Sequence, residues 1–357
     1  MVTAVASGPA PTPYLVRAAP RALVLGSFFV VAVPLAVYLL FMSRAEPTQG
    51  TVLALPVVQG YSVIFGLTHF FLTFTVYMSS PNIRHFLSTP RNVFAFLVAP
   101  LTALVGLAVW HGSALSERFV LANVVLFMTI RGFDFYHLSR QSFGVIQLFK
   151  GRSLKGVPAW TRTAENLYFL ALAMLMYTTF LSDLRFDAHA PLTLVVATFT
   201  AILLGVVLVG YAIGLRAGAN RKATMLVLGY LAVQTGSSLL AVYRTGLYAA
   251  SLAVHYVEYH VIMAPRVFRA PIDEGDRALS AVRRAPIALY LTLLMFGFVW
   301  LLLRQSQDAF VGGGASGSRM LVHVFDGIFV FHYIIEMSIW KFSDPYFRKS
   351  LGPLYMG

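Results

Sequence analysis

The sequence predicts an all-α, polytopic integral membrane protein with about ten transmembrane helices. Three observations carry that prediction. Of 357 residues, 58% are hydrophobic and only 11% are charged. The apolar residues fall in runs near the ~20 residues that a helix needs to cross the hydrocarbon core. The basic residues sit in the short stretches between those runs, as the positive-inside rule expects.

The first run, residues 22–42, follows an Ala/Pro-rich segment carrying Arg17 and Arg21. No small-residue cleavage site closes it, so a retained helix is expected rather than a signal peptide. The next four runs are 52–79, 93–111, 118–140 and 165–181. After the fourth, QSFGVIQLFKG is amphipathic and is expected to lie along the inner interface. The remaining runs are 191–215, 222–243, 246–267, 285–303 and 320–341. Only Arg244 and Thr245 part the seventh from the eighth, while a flexible VGGGASGS stretch precedes the tenth. The C-terminal WKFSDPYFRKSLGP is expected to anchor at the headgroups through Trp340 and Lys341. The division expected is a tail over 1–21, one helical domain over 22–341 and a second tail over 342–357.

Loop charge orients the chain. With both termini in the cytoplasm, twenty Lys and Arg residues fall on the inner side and six on the outer. That bias favours a cytoplasmic N- and C-terminus, and the location expected is the bacterial inner membrane. The net charge of +13 is thereby explained without nucleic acid. Zero cysteine excludes disulfides, iron–sulfur clusters, thiolate-ligated haem and Cys-type zinc sites.

Ionisable groups in hydrocarbon are costly and mark binding or reaction. His69, His137, His255, His260, His332 and Glu336 all fall in even-numbered runs, which cross in one direction. Counted from the cytoplasmic ends they lie within about 5–18 Å of the inner interface, at 1.5 Å per residue. One such histidine alone is more often an interhelical hydrogen-bond partner. Imidazoles from four helices at one depth, with carboxylate and without thiol, instead suggest a transition-metal site.

Local spacing refines the set. In HYIIE, His332 and Glu336 stand at i, i+4 and share a helix face. His255 and His260 in HYVEYH are about 140° apart around an ideal helix. One ion takes both only if the helix is distorted near Pro265; otherwise they serve two ions, or one of them supports a ligand. Asp134 either orients His137 or pairs with Arg131. Glu258 either ligates or accepts from Tyr or Arg. Glu336, Glu258 and Asp134 are therefore the candidate catalytic carboxylates. His323 lies on the face opposite His332 and about 13 Å further out, so it is set aside. His85, His111 and His189 are at loops or span ends and are set aside too.

At YHLSRQSFGV, HYVEYH and HYIIEMSIWKFSDP the chain resembles a group of multi-pass bacterial membrane proteins with comparable histidine motifs, a likeness that brings no activity. More loosely, THFF at His69 is similar to the His-Phe motif of the Brp/Blh β-carotene dioxygenases. That resemblance implies iron held by histidines on membrane helices. The family's Pro-His-Gly motif is missing here, and its H-x-x-x-H pair is matched only by His255 and His260 at a different spacing. Membrane desaturases and hydroxylases offer a second analogy, without their H-x-x-H-H boxes.

The expected function is an O₂-dependent non-haem iron oxidoreductase with one or two ions, acting on a membrane lipid or isoprenoid. The basic loops either set the topology alone or would also meet an acidic cytoplasmic electron donor or anionic headgroups. Three other classes stay open: a haem b electron-transfer protein, a proton-coupled transporter, and a zinc-dependent hydrolase or transferase.

Overall fold

The computed structural model describes residues 55–351 except 114, 151–153, 155, 184–189, 245–246, 270–275, 306–315 and 342. Before residue 55 it describes only Leu35, Val37, Tyr38 and Phe41, so the first run and the tail 1–21 otherwise lie outside the described residues. Among the described residues every regular element is helical.

Helix α1 spans Pro56–Met78, with a π-helical turn over Ser62–Leu67 and a 3₁₀ end over Phe74–Met78. The short α2 (Ser80–Phe86) leads to α3 (Pro90–Gly112). One turn, α4 (Leu115–Arg118), precedes α5 (Val120–Lys150). Then come α6 (Trp160–Asp183), α7 (Ala190–Arg216), α8 (Arg221–Tyr243) and α9 (Tyr248–Arg269). The last four are α10 (Arg277–Arg284), α11 (Pro286–Gln305), α12 (Ser316–Ile339) and α13 (Pro345–Ser350).

Five of these helices, α1, α3, α6, α7 and α8, are long and apolar enough to cross a membrane. A sixth follows if α10 and α11, bent by 100° at their junction, form one span. Helices α5 and α9 are long enough but less apolar. Their deficit comes from Arg131, Asp134 and His137 in α5 and from His255, Glu258 and His260 in α9.

Each run from 52–79 onward overlaps a described helix, but one expectation changes. The fourth run does not stop at Arg140 with a separate segment along the interface. Helix α5 continues to Lys150 for 31 residues, because Val145, Ile146, Leu148 and Phe149 are buried in the core. The described part of the segment after Lys341 packs on α2. Phe347 of α13 is fully buried, His85 of α2 stacks on Tyr346, and the Tyr346 hydroxyl donates to Asn82 at 2.7 Å.

Close crossings hold the bundle at small residues, as expected where hydrocarbon offers no hydrophobic drive between helices. The tightest against backbone among the described residues is Gly327 of α12 on α3, where a Cβ would lie 2.5 Å from the Leu104 carbonyl oxygen. Backbone cannot yield as a side-chain tip does. Gly327→Val should therefore separate α3 from α12 and cost about 1–3 kcal/mol or more. A lowered thermal midpoint in detergent checks this, and an unchanged one would deny the crossing.

Candidate metal centre

Four helices bring their ionisable residues to one buried point. His69 comes from α1, His137 from α5, His255 from α9, and His332 with Glu336 from α12. All five are at most 4% exposed. Each helix reaches the point by a local device.

In α1 the π-helical turn ends at Leu67, two residues before His69, and such bulges re-aim the side chains that follow them. Gly66 within it packs on the Tyr256 ring, where a Cβ would meet a ring carbon at 2.7 Å. The Gly66 carbonyl accepts from His69 Nδ1 at 2.8 Å. With its proton on Nδ1, His69 turns the Nε2 lone pair toward the cluster. In α12 the i, i+4 spacing sets His332 and Glu336 side by side, with His332 Nε2 4.0 Å from Glu336 Oε2. Thr73 Oγ1 lies 2.5 Å from His332 Nδ1 and is tied to the Tyr259 hydroxyl at 2.7 Å. Trp340 Nε1 donates to Glu336 Oε1 at 3.1 Å, which leaves Oε2 for the centre.

Two groups have ligand atoms all within 4.8 Å of one another: His69, His255 and His332, and His137, His332 and Glu336. His332 Nε2 belongs to both. It lies 3.0 Å from His69 Nε2, while His137 Nε2 lies 3.6 Å from Glu336 Oε2. The four imidazoles meet edge to face, with centroid separations of 4.4 to 5.2 Å. A single shared proton would satisfy the His69–His332 pair. It would not satisfy His137 Nε2, a buried atom with no hydrogen-bond partner. Such an atom costs about 1–3 kcal/mol unless something else binds it. The five donors do not form one group, so an ion fits either His137, His332 and Glu336 or His69, His255 and His332, and at the first it would satisfy His137 Nε2.

Other candidates take different places. His260 stands outside both groups, although it is on α9 with His255. Its Nδ1 lies 3.2 Å from the Tyr290 hydroxyl, and its Nε2 lies 3.1 Å from both Thr68 Oγ1 and the Phe65 carbonyl. Helix α9 remains α-helical through Pro265, so the five-residue spacing sends the two rings to different neighbours. Asp134 accepts from Tyr333 at 2.6 Å, Tyr248 at 2.9 Å and Arg131 at 3.2 Å. It is thus an ion-pair partner and steadies the Tyr333 ring, which packs on His137 at 4.5 Å. Glu258 Oε2 accepts from Gln234 at 2.7 Å and Tyr230 at 2.8 Å, while its Oε1 is buried without a hydrogen bond. His323 stacks on His111 at 5.3 Å, His85 sits with α13, and His189 is outside the described residues.

Several supporting residues escaped the sequence reading. Thr73 and Trp340 lie four residues after His69 and Glu336, so the face-sharing rule that linked His332 to Glu336 also points to them. Gly66 at i−3 from His69 carried no such signal, because its role depends on the π-helical turn.

His137 and Glu336 also line one end of a cavity of about 1660 Å³ between α3, α5 and α12. Compared with known protein families, curated proteins and solved structures, the chain finds no match.

Proposed function

We propose that this protein is a membrane-embedded oxidoreductase built around one non-haem iron, using O₂ to modify a lipid or isoprenoid. The observation that carries the reading is the cluster of buried imidazoles around His332 Nε2, with His137 Nε2 lacking any hydrogen bond. Either His137, His332 and Glu336 or His69, His255 and His332 would hold the ion. One ion is favoured over two, since His332 offers a single free nitrogen to both groups while its Nδ1 is engaged by Thr73.

Imidazole with carboxylate is the donor set of non-haem iron oxygenases. Crowding of four rings edge to face argues against haem, which would need opposed imidazoles separated by a macrocycle.

In this reading the chain crosses the bacterial inner membrane about ten times with both termini in the cytoplasm, and the site faces the inner leaflet. Bound iron would supply O₂ activation for hydroxylation, desaturation or oxidative cleavage. The protein's part is to hold the donors rigidly through Gly66, Thr73 and Trp340, and to exclude water from His69, His255 and His332, which do not line the cavity. Glu336 lies where the cluster meets the cavity and is placed to carry a proton between them on Oε2. Basic loops at the inner face would receive an acidic electron-donor protein.

Lipid extracts of expressing and non-expressing cells, compared by mass spectrometry, test the function. They should differ by oxygen addition, hydrogen loss or chain cleavage, and only in air. Glu336→Gln should reduce the product at least tenfold with the fold intact. Identical extracts, or a product formed equally without O₂, would contradict the proposal.

A further inference from the structure

The cavity that reaches His137 and Glu336 has a distinctive division of charge. Its walls include the apolar side chains of Phe94, Phe143, Val145, Ile262 and Ile334. Five cations also line it: Arg140, Lys150, Arg162, Lys341 and Arg348. Among the described residues Glu336 is the only acidic one of the lining, and it belongs with His137 to the histidine cluster.

The cations are spread along the wall. Arg140 is three residues beyond His137, about 4.5 Å along α5, Lys341 is five beyond Glu336, about 7.5 Å, and Lys150 is thirteen beyond His137, about 20 Å. The cations other than Arg140 thus extend the lining away from the cluster, where the wall also includes Leu154, Val157, Pro158 and Ala159 before α6. Lys150 is committed to Glu165 at 2.6 Å, and Arg140 donates to Asn166 and lies over Phe143. Among the described residues Arg140, Arg162, Lys341 and Arg348 make no ion pair with a carboxylate. An unbalanced group of this kind above an apolar wall attracts an anion that brings its own apolar part.

The volume agrees with such an occupant. Pockets for compact small molecules run to about 300–1,000 Å³. At about 1660 Å³ this cavity has room for an extended chain as well as a headgroup. A neutral hydrocarbon would leave the cations without use, and a free anion would leave the apolar wall without use.

We propose that the cavity binds a single-chain anionic amphiphile, a carboxylate or phosphate on a long apolar chain, with the headgroup at Arg162, Lys341 and Arg348 and the chain directed past Arg140 toward His137 and Glu336. This deepens the oxidoreductase reading by naming its substrate class, and it rests on that reading only for what happens to the chain after binding. The cations fix the headgroup, so the distance from headgroup to cluster selects which part of the chain is presented.

Trp340 lines the cavity beside Glu336 and reports occupancy there. The test uses the full chain in phosphatidylcholine nanodiscs, with Trp110, Trp160 and Trp300 replaced by Phe. Palmitic acids brominated at successive chain positions are titrated while Trp340 emission is read. Saturable quenching with one preferred bromine position is expected. Palmitate and hexadecyl phosphate should compete, whereas hexadecanol and inorganic phosphate should each compete at least tenfold more weakly. Lys341→Gln and Arg348→Gln, both on exposed groups, should together weaken binding about tenfold; adding Arg162→Gln should weaken it further. Equal competition by hexadecanol, equal competition by inorganic phosphate, or unchanged binding in the charge variants would overturn the proposal. Metal content measured on the same samples separates the two claims. Bound iron without headgroup preference sinks the substrate class alone, and headgroup preference without iron sinks the oxidoreductase alone.

Discussion

His332→Ala should strip the protein of its metal, lowering bound iron from about one equivalent to less than a tenth. No other single substitution reaches as far, because His332 Nε2 belongs to both groups of donors. Removing it leaves His69 without its neighbour at 3.0 Å and separates His137 and Glu336 from His255. Even a residue that only orients a ligand changes metal affinity about 10–100-fold, and losing a shared ligand should exceed that. Thr73→Val should show the smaller effect, since it leaves His332 in place and removes only the hydroxyl at its Nδ1. His260→Ala should keep its metal, because that ring is occupied by Phe65, Thr68 and Tyr290. Metal analysis of purified variants decides this. Full occupancy in His332→Ala, or loss in His260→Ala, would show the centre to be misassigned.

The second large effect lies away from the site. Glu165→Ala should destabilise the fold by about 3–5 kcal/mol, the usual cost of removing one partner of a buried ion pair. Glu165 is fully buried and accepts from Lys150 at 2.6 Å, from Gln147 at 2.8 Å and from the Tyr211 hydroxyl. It ties α6 to the end of α5 and to α7. Without it the Lys150 ammonium stays largely buried with its charge unopposed. Replacing both residues, as Lys150→Met with Glu165→Gln, should recover much of the loss because no charge is then stranded. Thermal unfolding in detergent should drop by several degrees in the single variant and less in the double. Equal drops would mean that the pair matters through packing rather than charge.

Much of this arrangement was legible in the residues, and the rest was hidden for physical reasons. Apolar runs place the helices because hydrocarbon admits few other backbones. His69, His137, His255, His332 and Glu336 could be gathered by depth alone, since parallel helices put equal residue counts at equal heights. The direction of His260 was not decided by depth. Its 140° offset from His255 allowed several outcomes, and packing of Thr68 and Tyr290 on α9 selected one. Asp134 read equally as a support for His137 or a partner for Arg131. Its carboxylate takes the ion pair, and Tyr333 carries its influence to His137. The continuation of α5 past Arg140 was masked by Gln141, Gln147 and Lys150. These polar residues face partners such as Glu165 rather than water alone. The cavity could not be read at all, because its walls come from helices far apart in sequence.

The most direct test of the central claim is the metal content of the protein purified without oxygen, together with its optical spectrum. About one iron per chain and no haem absorption band are expected. A protein that holds no metal, or one whose spectrum shows haem, would contradict that claim.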